Sequence, residues 1–427
     1  MSIRAILLGA GAGFLSIVAA SAADLPMSKG EAVEYVKVCT AFGPGFFYIP
    51  GTDTCLQISG QIRADYWYMS NPDVANKRNL NQTQFRTNAR IRFDARTQTD
   101  YGLLRSFFEL QAESNAGAAP PYGSSSGVHD TFQVRQAYLQ FGGLTAGFAW
   151  SPYAFYDPKY QAEFFAPYFG EQGRRNLISY TAQFDKAFAT LSIEDNRDHR
   201  AGNTFGNNSA VLVNGININT TGGSQVPDIV GVVGYDDNKT GWGRFQVMGA
   251  LHQNRSALAR YGDTWGYSIG AAGNVNFPVL EGAYIAAEGS YSDGAVKYLG
   301  VGGSQPNGAF GGSSVLGFGG ADAYVSTAAP YDLDRAKGWA IQAEAGLKFT
   351  QQLQAVLFGG YLSYDAPNIA TNTADNFKYY VVGGQLNYTV VKGFIAGAEV
   401  WYQNKDRDGD VPKYDSVGAG VRLRRTF

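Results

Sequence analysis

The chain has 427 residues, and its 34 basic and 36 acidic side chains give a near-neutral balance that offers no support for nucleic-acid binding. It contains 54 glycines, 27 tyrosines and 27 phenylalanines but only four methionines, a composition typical of many strands and tight turns. After Ala22, no window approaches the roughly 18 uninterrupted apolar residues of a transmembrane helix. These features favour an all-β protein.

The first residues have the pattern of an export signal. "MSIR" carries one cation at Arg4, an apolar stretch of small residues follows, and "ASA" at Ala20 to Ala22 resembles a signal peptidase site. A membrane anchor is the less favoured alternative, because the apolar run is short, rich in glycine and directly followed by the cleavage pattern. We therefore predict a signal peptide at 1–22 and an exported mature chain.

Two cysteines lie between the signal and the first strand, in "VCTAFGPGFFYIPGTDTCLQ". In an exported protein, cysteines as close as Cys39 and Cys55, bracketing Gly/Pro turns, most simply form one structural disulfide. A metal site would need further ligands, and no histidine is near in sequence. We predict a disulfide-closed segment at 23–55, with no metal and no cofactor.

From Leu56 onward, the sequence repeats one unit in which an alternating stretch, a short turn, a second alternating stretch and a longer polar loop follow one another. In "GWAIQAEAGLKF", apolar residues from Trp339 to Phe349 alternate with polar ones such as Gln342 and Glu344, which is strand periodicity. Sixteen strands are predicted: 56–68, 84–98, 102–114, 130–142, 144–151, 175–184, 187–195, 226–237, 241–253, 263–276, 281–293, 338–349, 352–364, 376–389, 393–404 and 414–427.

The gaps between these strands alternate between short turns and long polar loops, an asymmetry typical of outer-membrane barrels with tight periplasmic turns and long external loops. We therefore predict a 16-stranded antiparallel transmembrane β-barrel at 56–427, with segment 23–55 on the periplasmic side. A soluble sandwich is the alternative, but aromatic residues near strand ends suit a membrane interface better. Those aromatics are Tyr66, Tyr68, Trp339, Tyr361, Tyr364, Tyr388 and Tyr402.

The chain ends on an alternating strand, "VRLRRTF", which we expect to close the barrel against the first strand. Val421, Leu423 and Phe427 fall on its lipid-facing side, whereas Arg422 and Arg424 fall on the interior side. A terminal phenylalanine after such a strand resembles the assembly signal of outer-membrane barrels. That resemblance makes the barrel assembly machinery an expected partner during biogenesis.

Two stretches carry a closer family resemblance. "VEYVKVCTAFGPGFFYIPGTDTCLQISGQIR", from Val33 to Arg63, resembles the start of the alphaproteobacterial porins, the porin type-2 family. "RQAYLQFGGLTAGFAWSPY", from Arg135, is similar to the family's strand pair leading into the constriction loop. The resemblance implies a homotrimeric diffusion porin in contact with outer-membrane lipid and lipopolysaccharide, which passes small hydrophilic solutes and ions and folds its third external loop into the pore.

The second predicted strand, "QFRTNARIRFDARTQ", places Arg86, Arg90, Arg92 and Arg96 on one face. Four guanidinium groups are costly against lipid but acceptable along a water-filled lumen. With Arg63 and Arg105 on the adjoining strands, they form a predicted basic wall of the constriction. The alternative is that these arginines only pair with interior acids, namely Asp65, Asp94, Glu109 and Glu113.

The opposing wall is expected from the third loop, at about 152–174, whose aromatic content suits a loop packed inside a barrel. Its acids are Asp157, Glu163 and Glu171. Acids that face arginines across a narrow aqueous gap create a transverse field, which orients dipolar solutes and disfavours apolar ones. The predicted function is therefore passive diffusion, selective by size and charge.

Other functions are less favoured. A barrel enzyme would need a base beside a nucleophile, and the three histidines, His129, His199 and His252, belong to no recognisable constellation. A sugar or phosphate channel is the closer alternative, but a saccharide slide needs a row of luminal aromatics, for which only Trp67 and Trp401 are candidates. The smooth outer face of Leu144, Ala146 and Phe148 could pack on another barrel, although the expected trimer depends mainly on the family resemblance.

Overall fold

The structure is a computed structural model that describes most of the chain from Lys37 onward. The described residues are 37–70, 81–116, 128–155, 169–171, 173–197, 199–201, 203–204, 210–213, 216–219, 221–237, 241–301, 320–325, 332–367, 376–408 and 414–427. The predicted signal peptide at 1–22 lies outside them, as do Asp157 and Glu163. Within this part of the chain, no helix is long and apolar enough to cross a bilayer.

Sixteen antiparallel strands form a closed barrel, which confirms the predicted fold; their ends lie within a few residues of the predicted ones. Each strand pairs with its neighbours along the chain, and the last pairs with the first, with Arg422 opposite Asp65. The strands are β1 Cys55–Met69, β2 Thr83–Thr99, β3 Gly102–Ala116, β4 Val128–Phe141, β5 Leu144–Trp150, β6 Arg174–Phe184, β7 Ala187–Glu194, β8 Asp228–Asp236, β9 Gly243–Arg255, β10 Asp263–Phe277, β11 Ala283–Asp293, β12 Lys337–Lys348, β13 Leu353–Asp365, β14 Phe377–Val391, β15 Phe394–Arg407 and β16 Tyr414–Thr426.

The side chains alternate in the opposite sense to those of a soluble protein. In β1 and β2, Ile62 and Phe85 point outward and are 52% and 66% exposed, whereas Arg63 and Arg86 point inward and are buried. A face this apolar would be costly in water, but it matches the hydrocarbon of a bilayer, where a closed barrel leaves no unpaired backbone edge.

The position predicted for Tyr364, at the membrane interface, is wrong. Tyr364 is fully buried inside the barrel, where its ring stacks on Phe377 with centroids 5.0 Å apart. It lies three positions after Tyr361, and because strand side chains alternate with period two, the two residues point to opposite faces. Trp339, in contrast, lies on the outer face and stacks on Tyr361 at 5.0 Å.

The seam between the chain ends is held by backbone pairing. The Gly60 N–H donates to the Phe427 carbonyl at 2.9 Å, and the Phe427 N–H donates to the Gly60 carbonyl at 3.1 Å. A Cβ atom at position 60 would lie 2.7 Å from the Phe427 ring, so only glycine allows the terminal aromatic to approach this closely. The last residue is therefore part of the barrel.

The predicted disulfide is present, joining Cys39 to Cys55. It closes a short hairpin in which Phe46–Tyr48 pairs with Cys55–Gln57. Strand β16 ends opposite Gln61, so the part of β1 before that residue has an open edge, and the hairpin pairs with this edge. The hairpin lies at the end of the barrel where the short turns connect the strands. There the Arg96 guanidinium lies 4.9 Å from the centre of the Phe46 ring.

Two external loops fold into the barrel. The inner faces of β8 and β9 carry apolar residues, Val230, Val232 and Met248, which would be poorly hydrated in an open lumen. Tyr153 and Phe155, at the start of the third external loop (L3, 151–173), cover them and are themselves buried. The sixth external loop (L6, 294–336), whose role the sequence did not reveal, contributes a second buried segment at 295–301.

Candidate pore constriction

The predicted basic wall occupies the inner face of adjoining strands β1, β2 and β3. The strand register places Asp65 opposite Arg86, Glu109 opposite Arg92, and Arg96 opposite Arg105. Asp65 and Glu109 therefore each lie beside an arginine of a neighbouring strand. The side chains form three clusters, described here from the external end toward the periplasmic end.

Asp65 is the centre of the first cluster. Its carboxylate accepts hydrogen bonds from Arg86 at 3.0 Å and from Arg422 at 2.6 Å, and the Arg63 Nε lies 3.4 Å away. All four side chains are buried. Three guanidinium groups thus share one carboxylate, and the excess is positive. The Arg86 guanidinium also lies 4.9 Å from the Trp67 ring, a favourable cation–π distance.

Glu109 is the centre of the second cluster. The Arg92 Nε donates to it at 3.1 Å, while Arg90 and Arg135 approach it at 4.0 Å and 3.9 Å. Gln111 binds two of these arginines, because its Oε1 accepts from the Arg90 Nε at 2.8 Å and from the Arg135 Nη1 at 2.9 Å. Three arginines again share one carboxylate.

Asp94 is the centre of the third cluster, nearest the periplasmic end. Arg96 and Arg105 each bind it with two N–H groups, at distances of 2.7 to 3.0 Å. This paired, planar contact is the geometry that a guanidinium prefers with a carboxylate. The Arg105 Nη1 donates in addition to Gln140 at 2.9 Å.

Taken together, eight arginines surround Asp65, Glu109 and Asp94. A fourth carboxylate, Glu113, lies on the same wall and accepts hydrogen bonds from Asn88 at 3.0 Å and from Gln111 at 3.3 Å, so these arginines outnumber the carboxylates two to one. The accessible groups belong to the two lower clusters, where the side chains of Arg92, Arg96 and Arg105 are 35%, 25% and 19% exposed. These three guanidinium groups are the most exposed of the wall.

Two members of the wall were missed by the sequence analysis. Arg422 lies on the predicted interior side of β16, but its contact with Asp65 depends on the register across the seam. Arg135 is placed by a β-bulge, where the pairing shifts between Glu109 and Leu110. The sequence does carry a sign of this bulge, because the apolar phase changes from Phe132 and Val134 to Leu139 and Phe141.

The third predicted acid of L3, Glu171, is buried and closed off from the lumen. Its carboxylate pairs with Arg175 and lies 2.6 Å from the His199 Nε2. Burial alone would raise the pKa of Glu171, but Arg175 and His199 outweigh it and lower the pKa to about 2. Glu171 is therefore ionised and holds the end of L3 in place.

The described ends of L3 are anchored across the lumen. The Tyr153 hydroxyl lies 2.9 Å from the Ser268 hydroxyl and donates to Ser290 at 3.2 Å, while the Phe169 N–H donates to the Gln342 Oε1 at 3.0 Å. The described start of L3 thus contacts β10 and β11, and its described end contacts β12.

The luminal aromatics do not form a descending row. Trp67 and Trp401 lie at the same level, because they face Gly420 and Gly418, adjacent inward positions of β16. Both are buried in a cluster with Phe169, Tyr364 and other side chains, so they offer no open surface to a sugar.

Comparisons with known proteins agree with this architecture. The family model described as "Porin subfamily" matches residues 24–421. Porin Omp2b of Brucella suis is 29% identical over 449 residues, which cover 100% of both chains, and porin Omp2b of Brucella neotomae is 29% identical over 69% of this chain and 85% of its own. Among solved structures, the outer-membrane channel DcaP of Acinetobacter baumannii shares the fold with a TM-score of 0.63 at 17% identity, covering 89% of this chain and 99% of its own. The chain therefore belongs to the porin family and is an outer-membrane porin.

Proposed function

We propose that this porin selects small hydrophilic solutes by size at L3 and by charge at the basic wall. The observation that carries the proposal is the excess of arginines over carboxylates on this wall, eight arginines against Asp65, Asp94, Glu109 and Glu113. A fixed excess of one charge in a narrow, low-dielectric passage raises the local concentration of the opposite ion. Diffusion is passive, without a catalytic step.

The opposing acidic wall is proposed at Asp157 and Glu163 of L3, which lie outside the described residues. Glu171, whose charge Arg175 compensates inside a buried contact, is better explained as an anchor of L3. The transverse field across the pore then runs from Arg90 and Arg92 toward the other two acids. This field orients dipolar solutes and gives apolar ones no compensation for displaced water.

Assembly properties form the second part of the proposal. We infer a homotrimer, with Leu144, Ala146 and Phe148 on the contacting face, in an outer membrane containing lipopolysaccharide. Phe427 is proposed as the signal read by the barrel assembly machinery, which is consistent with its place at the seam beside Gly60. Chemical cross-linking of the native protein in membranes tests the trimer.

Single-channel recording in a planar bilayer tests the charge mechanism. Replacing Arg90 and Arg92 together with alanine is expected to enlarge the conductance, because two bulky side chains leave the passage. It should also move the reversal potential in a salt gradient toward cation preference, because two positive charges are lost. Arg425→Ala is the matched control, since Arg425 is exposed on the outer side of β16. If the double variant behaves like this control, the assigned constriction is wrong.

A further inference from the structure

We propose that L6 is a second inserted loop that holds L3 in place, and that Tyr298 is the positioning residue through which L6 fixes the bore of the pore. This inference depends on the proposed role of L3 as the constriction. It is carried by contacts that join L6 to both described ends of L3.

The first observation is how deeply this part of L6 is inserted. Residues 296–299 form one turn of 3-10 helix, in which Val296, Tyr298 and Leu299 are buried. Val296 and Leu299 belong to the apolar cluster that also contains Phe169 at the end of L3. An external loop that buries three large side chains inside a barrel displaces lumen volume, so it forms part of the wall that solutes meet.

The second observation concerns the start of L3. The rings of Tyr298 and Tyr153 are in contact, with centroids 4.9 Å apart. The Tyr298 hydroxyl donates to the Asp228 Oδ2 at 2.9 Å, and the Asp228 Oδ1 lies 2.7 Å from the His252 Nδ1. The ring that supports Tyr153 is therefore itself fixed to β8 and β9.

The third observation concerns the end of L3. The Gly170 N–H donates to the Leu299 carbonyl at 3.1 Å. On its other side, Gly170 lies against β11, since a Cβ atom there would be 2.7 Å from the Glu288 Oε1. The backbone of L3 thus passes between L6 and the barrel wall at this point, with a positive φ of 92° that favours glycine.

Tyr298 also faces the ionic anchor at the end of L3. Its ring lies 4.6 Å from the ring of His199 in an edge-to-face arrangement and 5.7 Å from the Arg175 guanidinium. His199 and Arg175 both bind Glu171. One side chain of L6 therefore contacts the start of L3 and the two partners of its last acid. Moving L6 would remove one support from both ends of L3 together, while their direct contacts with the barrel wall would remain.

The test compares three variants by single-channel recording and by thermal unfolding in detergent. Tyr298→Ala removes the ring and the hydroxyl, and we expect open-channel current noise to rise several-fold, because the ends of L3 lose a shared support. Tyr298→Phe keeps the ring contact, and its open-channel current noise is expected to be close to that of the wild type. Tyr48→Ala is the matched control, a tyrosine of the N-terminal hairpin that packs on Cys39, Phe46 and Cys55 and not on the described residues of L3 or L6.

Three results would overturn the inference. Tyr298→Ala could give wild-type noise and conductance, Tyr48→Ala could raise the noise equally, or Tyr298→Phe could fail to restore the low noise. If Tyr298→Ala does not fold, Tyr298→Leu provides the second measurement, because it keeps apolar volume in L6 but lacks the ring and the hydroxyl, and it should also raise the noise. Absence of any channel in the wild-type protein would instead refute the function proposed for the pore.

Discussion

At the scale of single residues, the buried charges of this porin are arranged in groups and not in simple pairs. Asp65 serves three arginines and Glu109 three more, so each carboxylate is surrounded by an excess of opposite charge. Removing one partner of a buried ion pair leaves an uncompensated charge. The carboxylates are therefore more critical to stability than any one of the arginines.

Replacing Asp65 with asparagine should destabilise the barrel by about 3–5 kcal/mol, because Arg63, Arg86 and Arg422 would repel one another without their shared carboxylate. Thermal unfolding of the purified protein in detergent measures this effect. The same change at Asp94 is the control, since Arg96 and Arg105 are partly exposed and water can screen them. An equal loss at both positions would contradict the account.

His199 makes the anchor of L3 sensitive to acid. Burial and the nearby Arg175 lower the pKa of His199 from 6.5 to about 4, although Glu171 acts in the opposite direction. When L3 and its anchor open, His199 becomes solvated and binds a proton more readily. The open form therefore takes up more protons between pH 6.5 and 4, and the closed anchor loses stability as the pH falls through this window.

The corresponding prediction is that open-channel noise increases as the pH falls from 6.5 toward 4. His199→Gln, which cannot take up a proton, should remove the part of this increase that lies above pH 4.5. Below that value, protonation of Glu171 contributes as well, because its own pKa is lowered from 4.5 to about 2. A pH response identical in wild type and His199→Gln would exclude His199 as its source.

At the scale of elements, the strands were predictable and the inserted loops only partly so. Alternation identified all sixteen strands, because period-two patterning depends on local sequence alone. The bulge at Arg135 changes the phase of the alternation within β4. Tyr364, in contrast, follows the alternation, and the prediction placed it on the wrong face because it considered only its aromatic character. L6 was not predicted to enter the lumen, since its insertion depends on apolar residues such as Val296 meeting an inner wall formed by distant strands.

The N-terminal hairpin gives a test at this scale. Replacing Cys39 and Cys55 with serine should lower barrel stability by about 3 kcal/mol, because a loop of this length gains entropy in the unfolded chain. The hairpin covers the edge of β1 next to the seam, so unfolding should begin there. Thermal unfolding with and without reductant measures the loss, and single-channel conductance should stay unchanged. A wild-type protein whose unfolding temperature is insensitive to reductant would contradict this role.

At the scale of the whole molecule, the alternation of side chains along each strand fits the barrel to two environments, hydrocarbon outside and water inside. Outward positions such as Ile91 meet hydrocarbon, while their immediate neighbours, such as Arg92, meet the aqueous lumen. The same sequence pattern that closes the barrel therefore also creates the charged passage. The sequence named Asp65, Asp94 and Glu109 as acids that the arginines could pair with, but which arginines surround each carboxylate depends on the register between strands and could not be predicted.

The most direct test of this alternation uses single cysteines at positions 91 and 92, each with a positively charged, water-soluble thiol reagent added during single-channel recording. The account predicts that Arg92→Cys is modified and that its current changes, while Ile91→Cys does not react. A fluorophore attached at position 91 before reconstitution should be quenched by brominated lipid. Reaction of both cysteines from water, or modification of position 91 alone, would contradict the placement of hydrocarbon and lumen on opposite faces of β2.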